Sequence, residues 1–330
     1  MLLDCQITIK GLPETSAYLV ADAISHIVRH FSQEDYALDF RRLRRIIVTT
    51  DFAGELAELS GFTASQNPIT YTDEEYAGAV AKVITLPCEA DFEVLLIILA
   101  DQAALLVSDG NDNVNSEECL TALHLFHHEF CHVHDENKKL DALPGIMLRH
   151  SYSGKDVFVG PLAERCWSEY IANLMSSSSV NDDWLAKMIG CFDDAIVRTK
   201  RVIDNEILSY RYHGDLDHLM STFCRHGEFL AIAAAYVLGY VDGLEKPLSV
   251  LSPRANERLA GSYFEDTWHA LHQALRTMRR LYPEEWKDLS VYRDLSQAIE
   301  DYCAGMGLIL LATDDGLANV NVPFRRETSC

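Results

Sequence analysis

Residues 124–135 read HLFHHEFCHVHD and hold five of the chain's 13 histidines. Inside them, His128-Glu129-Phe130-Cys131-His132 has the form HExxH. Read as a helix at about 100° per residue, histidines four apart stand one turn apart on one face, where both imidazoles can reach a single zinc ion. Glu129 is offset from His128 by about 100°, so it lies beside such a metal without ligating it. A carboxylate in that place can take a proton from a water whose pKa zinc lowers to about 7. The chemistry these residue types can do at this spacing is metal-assisted hydrolysis.

A helix must hold them. Asn115-Ser116-Glu117-Glu118 has the composition of a helix start, an Asx or Ser cap followed by acidic residues in the first turn. The helix is expected to run to about Lys138, with Lys138 and Lys139 suiting its C-terminal end. Cys119, Leu123, Phe126, Phe130 and Val133 fall within about 80° of one another and form the expected core stripe. His124, His128, His132 and Asp135 fall on the opposite side, where an ordinary surface helix carries Lys and Glu. His127 and His134 lie off that face and are expected as partly buried histidines. A catalytic zinc needs a third protein ligand, with the fourth position left to water. The next convincing helix, PLAERCWSEYIANLMSS at 161–177, offers Glu164 and Glu169. These are five apart, about 140° around the helix, so both cannot face one metal.

On these residues the chain resembles the gluzincin metallopeptidases, thermolysin-like in the broad sense. The metzincin pattern fails, because Asp135 and Lys138 stand where its Gly and last His belong. In gluzincins the ligand Glu is often followed by a small residue at +3 and an Asp at +4 that orients a zinc-bound histidine. Glu169-Tyr170-Ile171-Ala172-Asn173 matches, with Asn in place of Asp; Glu164 is followed by Trp167 and Ser168 and does not match. The resemblance therefore implies His128, His132 and Glu169 as ligands of one Zn2+ per chain, Glu129 as general base, and Asn173 as a partner of a ligand histidine. Ser168, Ala172 and Ser176 form a small-residue strip near Glu169 that would let two helices approach closely. Glu164 is expected as a surface residue paired with Arg165 or Lys155. There is a looser similarity to ImmA/IrrE-type peptidases, whose third-ligand helix often carries an E-A-N triplet. The implied activity is hydrolysis of a peptide or protein substrate. Donors to the transition state would come from His150, Tyr152, Tyr210, Tyr212, His213 or His226.

The rest of the chain must position that site. Strand signals lie early, RRIIVTT at 44–50 and AVAKVITLP at 79–87, after a helical pattern at 14–31. Residues 92–107 are apolar and of ambiguous type, and SDGNDNVN at 108–115 reads as a loop. Helical periodicity recurs at 161–176, 182–210, 216–240, 257–281 and 289–305, and the serine run at 176–179 is the nearest thing to a linker. The expected class is α+β: a zincin-like catalytic domain over 1–178, made of a small sheet, the HExxH helix and the third-ligand helix, then a mostly helical region over 179–330. A net charge of -22 opposes nucleic acid and anionic lipid as partners. The apolar runs are too short or broken to span a membrane. Nine scattered cysteines with no CxxC pair, and an N-terminus without a signal-peptide pattern, point to a reducing, cytoplasmic compartment. Two other readings stand beside the peptidase: a zinc-binding structural or protein-interaction module without activity, and a helical interaction protein whose HExxH is fortuitous.

Overall fold

Apolar runs with β-branched residues build the sheet. The structure, a computed structural model, describes residues 5–33, 35–60, 73–74, 77–78, 80–88, 91–107, 116–144, 151–312 and 318–324. The expected loop at 108–115 and the candidate donor His150 lie outside them. The chain divides into two units, 1–149 with 175–184, and 150–174 with 185–330.

In the first unit the order is β1 (Gln6–Ile9), α1 (Glu14–Phe31), β2 (Leu43–Thr49), α2 (Phe52–Ser60), a minimal hairpin β3 (Asp73–Glu74) and β4 (Ala77–Gly78), β5 (Ala81–Pro87), β6 (Phe92–Leu99), α3 (Ala100–Ala104) and α4 (Glu117–Ala142). Four strands form one mixed sheet in the order β1-β2-β6-β5. β1, β2 and β6 run parallel, and β5 pairs antiparallel with β6 at the edge. The ambiguous run at 92–107 is a strand that turns into a short helix. It has no period because Val94 to Ile98 are all buried, as expected of a strand covered on both faces. Alternation sorts the faces. Ile47, Ile84, Leu86, Leu95 and Ile97 pack with Phe52, Leu56 and Leu59 of α2. Each such side chain contributes about 1.5–3 kcal/mol by burial. α4 lies against β5 and β6, and Thr85 Oγ1 on β5 donates to Glu136 Oε2 on α4 at 2.9 Å.

The second unit is helical. It holds α5 (Asp156–Ser176) up to Leu174, then α6 (Asp182–His213) from Leu185, α7 (Leu216–Phe223), a π-type turn at Cys224–Glu228, α8 (Phe229–Gly243), α9 (Leu248–Leu251), α10 (Pro253–Leu259), α11 (Glu265–Leu281) and α12 (Arg293–Met306). A hairpin of β7 (Ile309–Ala312) and β8 (Ala318–Asn321) follows. α8 is apolar nearly all round and buried, and its Gly239 permits close contact with α5. A Cβ there would sit 2.5 Å from the Tyr170 carbonyl oxygen and 2.8 Å from the Asn173 Cβ. The close approach near Glu169 is made at Tyr170, Asn173 and Leu174 through a glycine on the partner helix, and not through the expected strip of Ser168, Ala172 and Ser176. The class is α+β with a small mixed sheet and a mostly helical C-terminal region. Among the described residues no helix is long and apolar enough to cross a membrane.

Candidate metal centre

α4 starts where its sequence says it should. Ser116 caps it, its Oγ accepting from the Cys119 N–H at 3.2 Å, with Glu117 and Glu118 in the first turn. It then departs from expectation, running to Ala142 past the two lysines. The histidine face is not solvated. His124 and Asp135 are 0% exposed and His128 is 5% exposed, so α4 is enclosed on both faces; Leu123, expected in the core stripe, is only partly buried.

A buried polar face must find partners. For the histidines near the first turns, one hydroxyl supplies them. Ser179 Oγ lies 2.9 Å from His124 Nδ1 and 2.7 Å from His127 Nδ1, and it donates to the Ser176 carbonyl at 2.9 Å. Ser179 Oγ, with one proton and two lone pairs, is thus the shared hydrogen-bonding partner of both imidazoles. Burial pushes His124 down to about 3 and His127 down to about 4, with nearby histidines adding to the shift. Both stay neutral at pH 7. His127 also stacks on Phe31 of α1 at 4.2 Å between ring centres, and His124 meets Trp184 edge-on at 5.8 Å. The serine run at 176–179, expected as a linker, is instead a 3-10 turn (Ser177–Ser179) pinned to α4. No spacing rule pointed to Ser179.

One turn further on, His128 Nε2 and His132 Nε2 face each other at 3.0 Å. Glu129 is buried. Below them Lys139 is buried as well, held by Asp135 at 3.2 Å and by Glu136. Lys139 therefore neutralises carboxylates inside the helix packing, and does not serve as an exposed C-terminal charge. At the same level His134 Nδ1 accepts the Asp39 N–H at 2.8 Å, which docks the loop after α1. Cys131, inside the motif, is fully buried, and burial, reinforced by Glu129 and Asp135, holds its thiol well above the ordinary range, so it is not a nucleophile.

Of the two candidate glutamates, Glu169 joins the histidines. His128, His132 and Glu169 each offer one ligand atom, and these atoms lie within 4.8 Å of one another. Glu164 goes elsewhere. It accepts a hydrogen bond from Tyr152 OH, whose ring lies over Gly160, where a Cβ would come within 2.2 Å of it. The expected salt bridges of Glu164 are not formed, since Lys155 pairs with Glu300 at 2.6 Å and Arg165 with Glu228 at 3.0 Å. Asn173 Nδ2 donates to the Glu169 carbonyl at 2.7 Å, while its Oδ1 is buried with no partner among the described residues. Beside Glu169, Tyr170 OH donates to Asp242 of α8 at 2.6 Å. Asp242 also takes His272 Nε2 at 2.9 Å and Arg276 Nη2 at 2.5 Å, and these donors hold its carboxyl well below the usual range despite burial. Of the transition-state donor candidates, Tyr152 is committed to Glu164, Tyr212 is exposed, and His213 lies 2.9 Å from Ser209.

Comparison of the chain with family models, with curated proteins and with solved structures gives no match.

Proposed function

We propose that the chain is a zinc-dependent metallopeptidase of gluzincin type, hydrolysing peptide bonds in a peptide or protein substrate. The observation that carries this reading is the gathering of one ligand atom from each of His128, His132 and Glu169 within 4.8 Å, on an HExxH helix that is buried and not a solvated face. The donor set suits zinc. Two imidazole nitrogens and one carboxylate oxygen are the ligands of a three-residue catalytic site. Two nitrogens bound at about 2.0–2.1 Å with a tetrahedral angle lie about 3.3 Å apart, close to the 3.0 Å between the two Nε2 atoms. The small mixed sheet beside α4 also supports the zincin-like reading.

When bound, zinc supplies Lewis-acid polarisation of the scissile carbonyl and an acidified water. Glu129, buried in the HExxH motif, would be the base that takes a proton from water and returns it to the leaving amine. Asn173, expected as a partner of a ligand histidine, instead donates its Nδ2–H to the Glu169 carbonyl and steadies the turn of α5 that carries the third ligand. His124 and His127, held neutral with Nδ1 engaged, keep the neighbouring turn free of extra positive charge. The free cysteines support work in a reducing, cytoplasmic compartment.

The test is zinc per chain by elemental analysis, on the wild type and on Glu169→Ala after equal dialysis. The expected result is one zinc in the wild type and far less in the variant. Glu129→Gln should keep its metal and lose hydrolysis by roughly 10²–10⁴-fold. Zinc retention with unchanged function in Glu129→Gln would leave only a structural zinc site. No zinc in the reconstituted wild type would end the peptidase reading.

A further inference from the structure

α11 buries Trp268, Leu271, Ala274, Leu275 and Met278 on one face. Its other face carries His269, His272, Arg276 and Arg280, which fall within about 80° of one another at 100° per residue. These four, with Gln273 and Thr277, line an open groove of about 560 Å³. Among the described residues Arg280 makes no ion pair or hydrogen bond. Arg276 is partnered on one edge only. Its Nε lies 3.0 Å and 3.1 Å from the two oxygens of Asp242, and its Nη2 lies 2.5 Å from Oδ1. Asp242 is 1% exposed while the Arg276 side chain is 59% exposed. A guanidinium has two edges that can each take a carboxylate side by side. The buried aspartate occupies the Nε edge and fixes the side chain, leaving the Nη1 edge oriented toward solvent with its ordering entropy already lost.

We propose that this groove docks an acidic peptide segment, its carboxylates taken by the free edge of Arg276 and by Arg280. The shape and charge favour that occupant. From His269 to Arg280 the stripe runs roughly 16 Å at 1.5 Å per helical residue, the length of about five extended residues. Its lining residues all come from one helix face, so it is an open surface and not an enclosure for a small molecule. The net charge of -22 repels any polyanion, and a short acidic peptide confined to the stripe meets less of it than a nucleic-acid backbone, which carries its charge far beyond the stripe. Gln273 and Thr277, between the cations, offer groups for main-chain hydrogen bonds. The proposal is independent of the metal site.

Fluorescence anisotropy of a fluorescein-labelled hexaglutamate peptide, titrated with the full-length chain, tests it. The expected result is saturable binding at low ionic strength that weakens as salt screens the pairing. Arg280→Glu, at a residue with no internal partner, should weaken it about tenfold or more by replacing attraction with repulsion. Arg276→Gln should weaken it too but also exposes Asp242 to loss of its partner, so Arg280 carries the decision. Absence of saturation, or identical binding by Arg280→Glu, would overturn the proposal. Tighter binding of an oligothymidine than of hexaglutamate would also overturn it, in favour of nucleic acid.

Discussion

Ser179→Ala removes the hydroxyl that lies within hydrogen-bond distance of two buried imidazoles. His124 is 0% exposed and His127 1% exposed, so neither ring can turn to bulk solvent. Each buried ring nitrogen that loses the hydroxyl costs about 1–3 kcal/mol, and two give about 2–6 kcal/mol. The lost hydrogen bond to the Ser176 carbonyl adds about 1 kcal/mol at most, because that oxygen is a neutral acceptor. The assay is urea unfolding followed by the helical signal, with wild type, Ser179→Ala and Ser179→Thr compared at constant metal load. The threonine keeps the hydroxyl and should stay within about 1.5 kcal/mol of wild type, while the alanine should fall below it by about 2 kcal/mol or more. A loss under about 1 kcal/mol in the alanine would refute the reasoning. It would mean that a water replaces the hydroxyl between the two rings, and that the turn at 177–179 is not what satisfies them.

Acid should act on the same helix. His124 falls from an ordinary 6.5 to about 3 in the folded chain, so between those values the unfolded chain holds the extra proton. Stability is full above about pH 6.5 and declines as pH drops, by about 1.4 kcal/mol per unit for this one group; a melting temperature that does not fall between pH 7 and 5 would contradict its burial as a neutral ring. Gly239→Ala should cost about 1–3 kcal/mol, because the new methyl meets the Tyr170 carbonyl at 2.5 Å and backbone cannot give way as a side chain would. Unchanged denaturation of that variant would show that α5 and α8 can separate freely. Lys139→Ala should cost about 3–5 kcal/mol by removing the cation that neutralises Asp135 and Glu136, and Asp135→Asn in the same background should recover part of it in a double-mutant cycle.

What the sequence made legible was local. The periodic stretch 14–31 is α1 to the residue, and Ser116 caps α4 as its composition implies. β2 and β5 were readable because Ile46, Ile47, Val48, Val83 and Ile84 are β-branched and bounded by turn residues. The four-residue strands β1, β7 and β8 carry too few alternations to rise above noise. At the site, HExxH spacing and the Glu169-to-Asn173 pattern led to the three residues whose ligand atoms converge. The supporting contacts were not legible, because their partners are remote in the chain. Ser179 lies 55 residues from His124, and Asp242 lies 72 residues from Tyr170. The same remoteness hid how deeply α4 is enclosed, since its polar face finds partners only in the far-off hydroxyl and in Lys139.

The hub at Ser179 also orders events on the ribosome. His124 and His127 leave the tunnel 55 and 52 residues ahead of the serine they need. At about 5–20 residues per second, that is an interval of roughly 3–10 s. Throughout it, the helix that carries the HExxH motif has its sheet strands already made but lacks the turn that satisfies its rings. The nascent chain must keep those imidazoles hydrated, with the apolar surface around them open to solvent. Slow translation between codons 124 and 179 would lengthen that exposure and raise the demand for a holding chaperone, whereas rapid translation would shorten it.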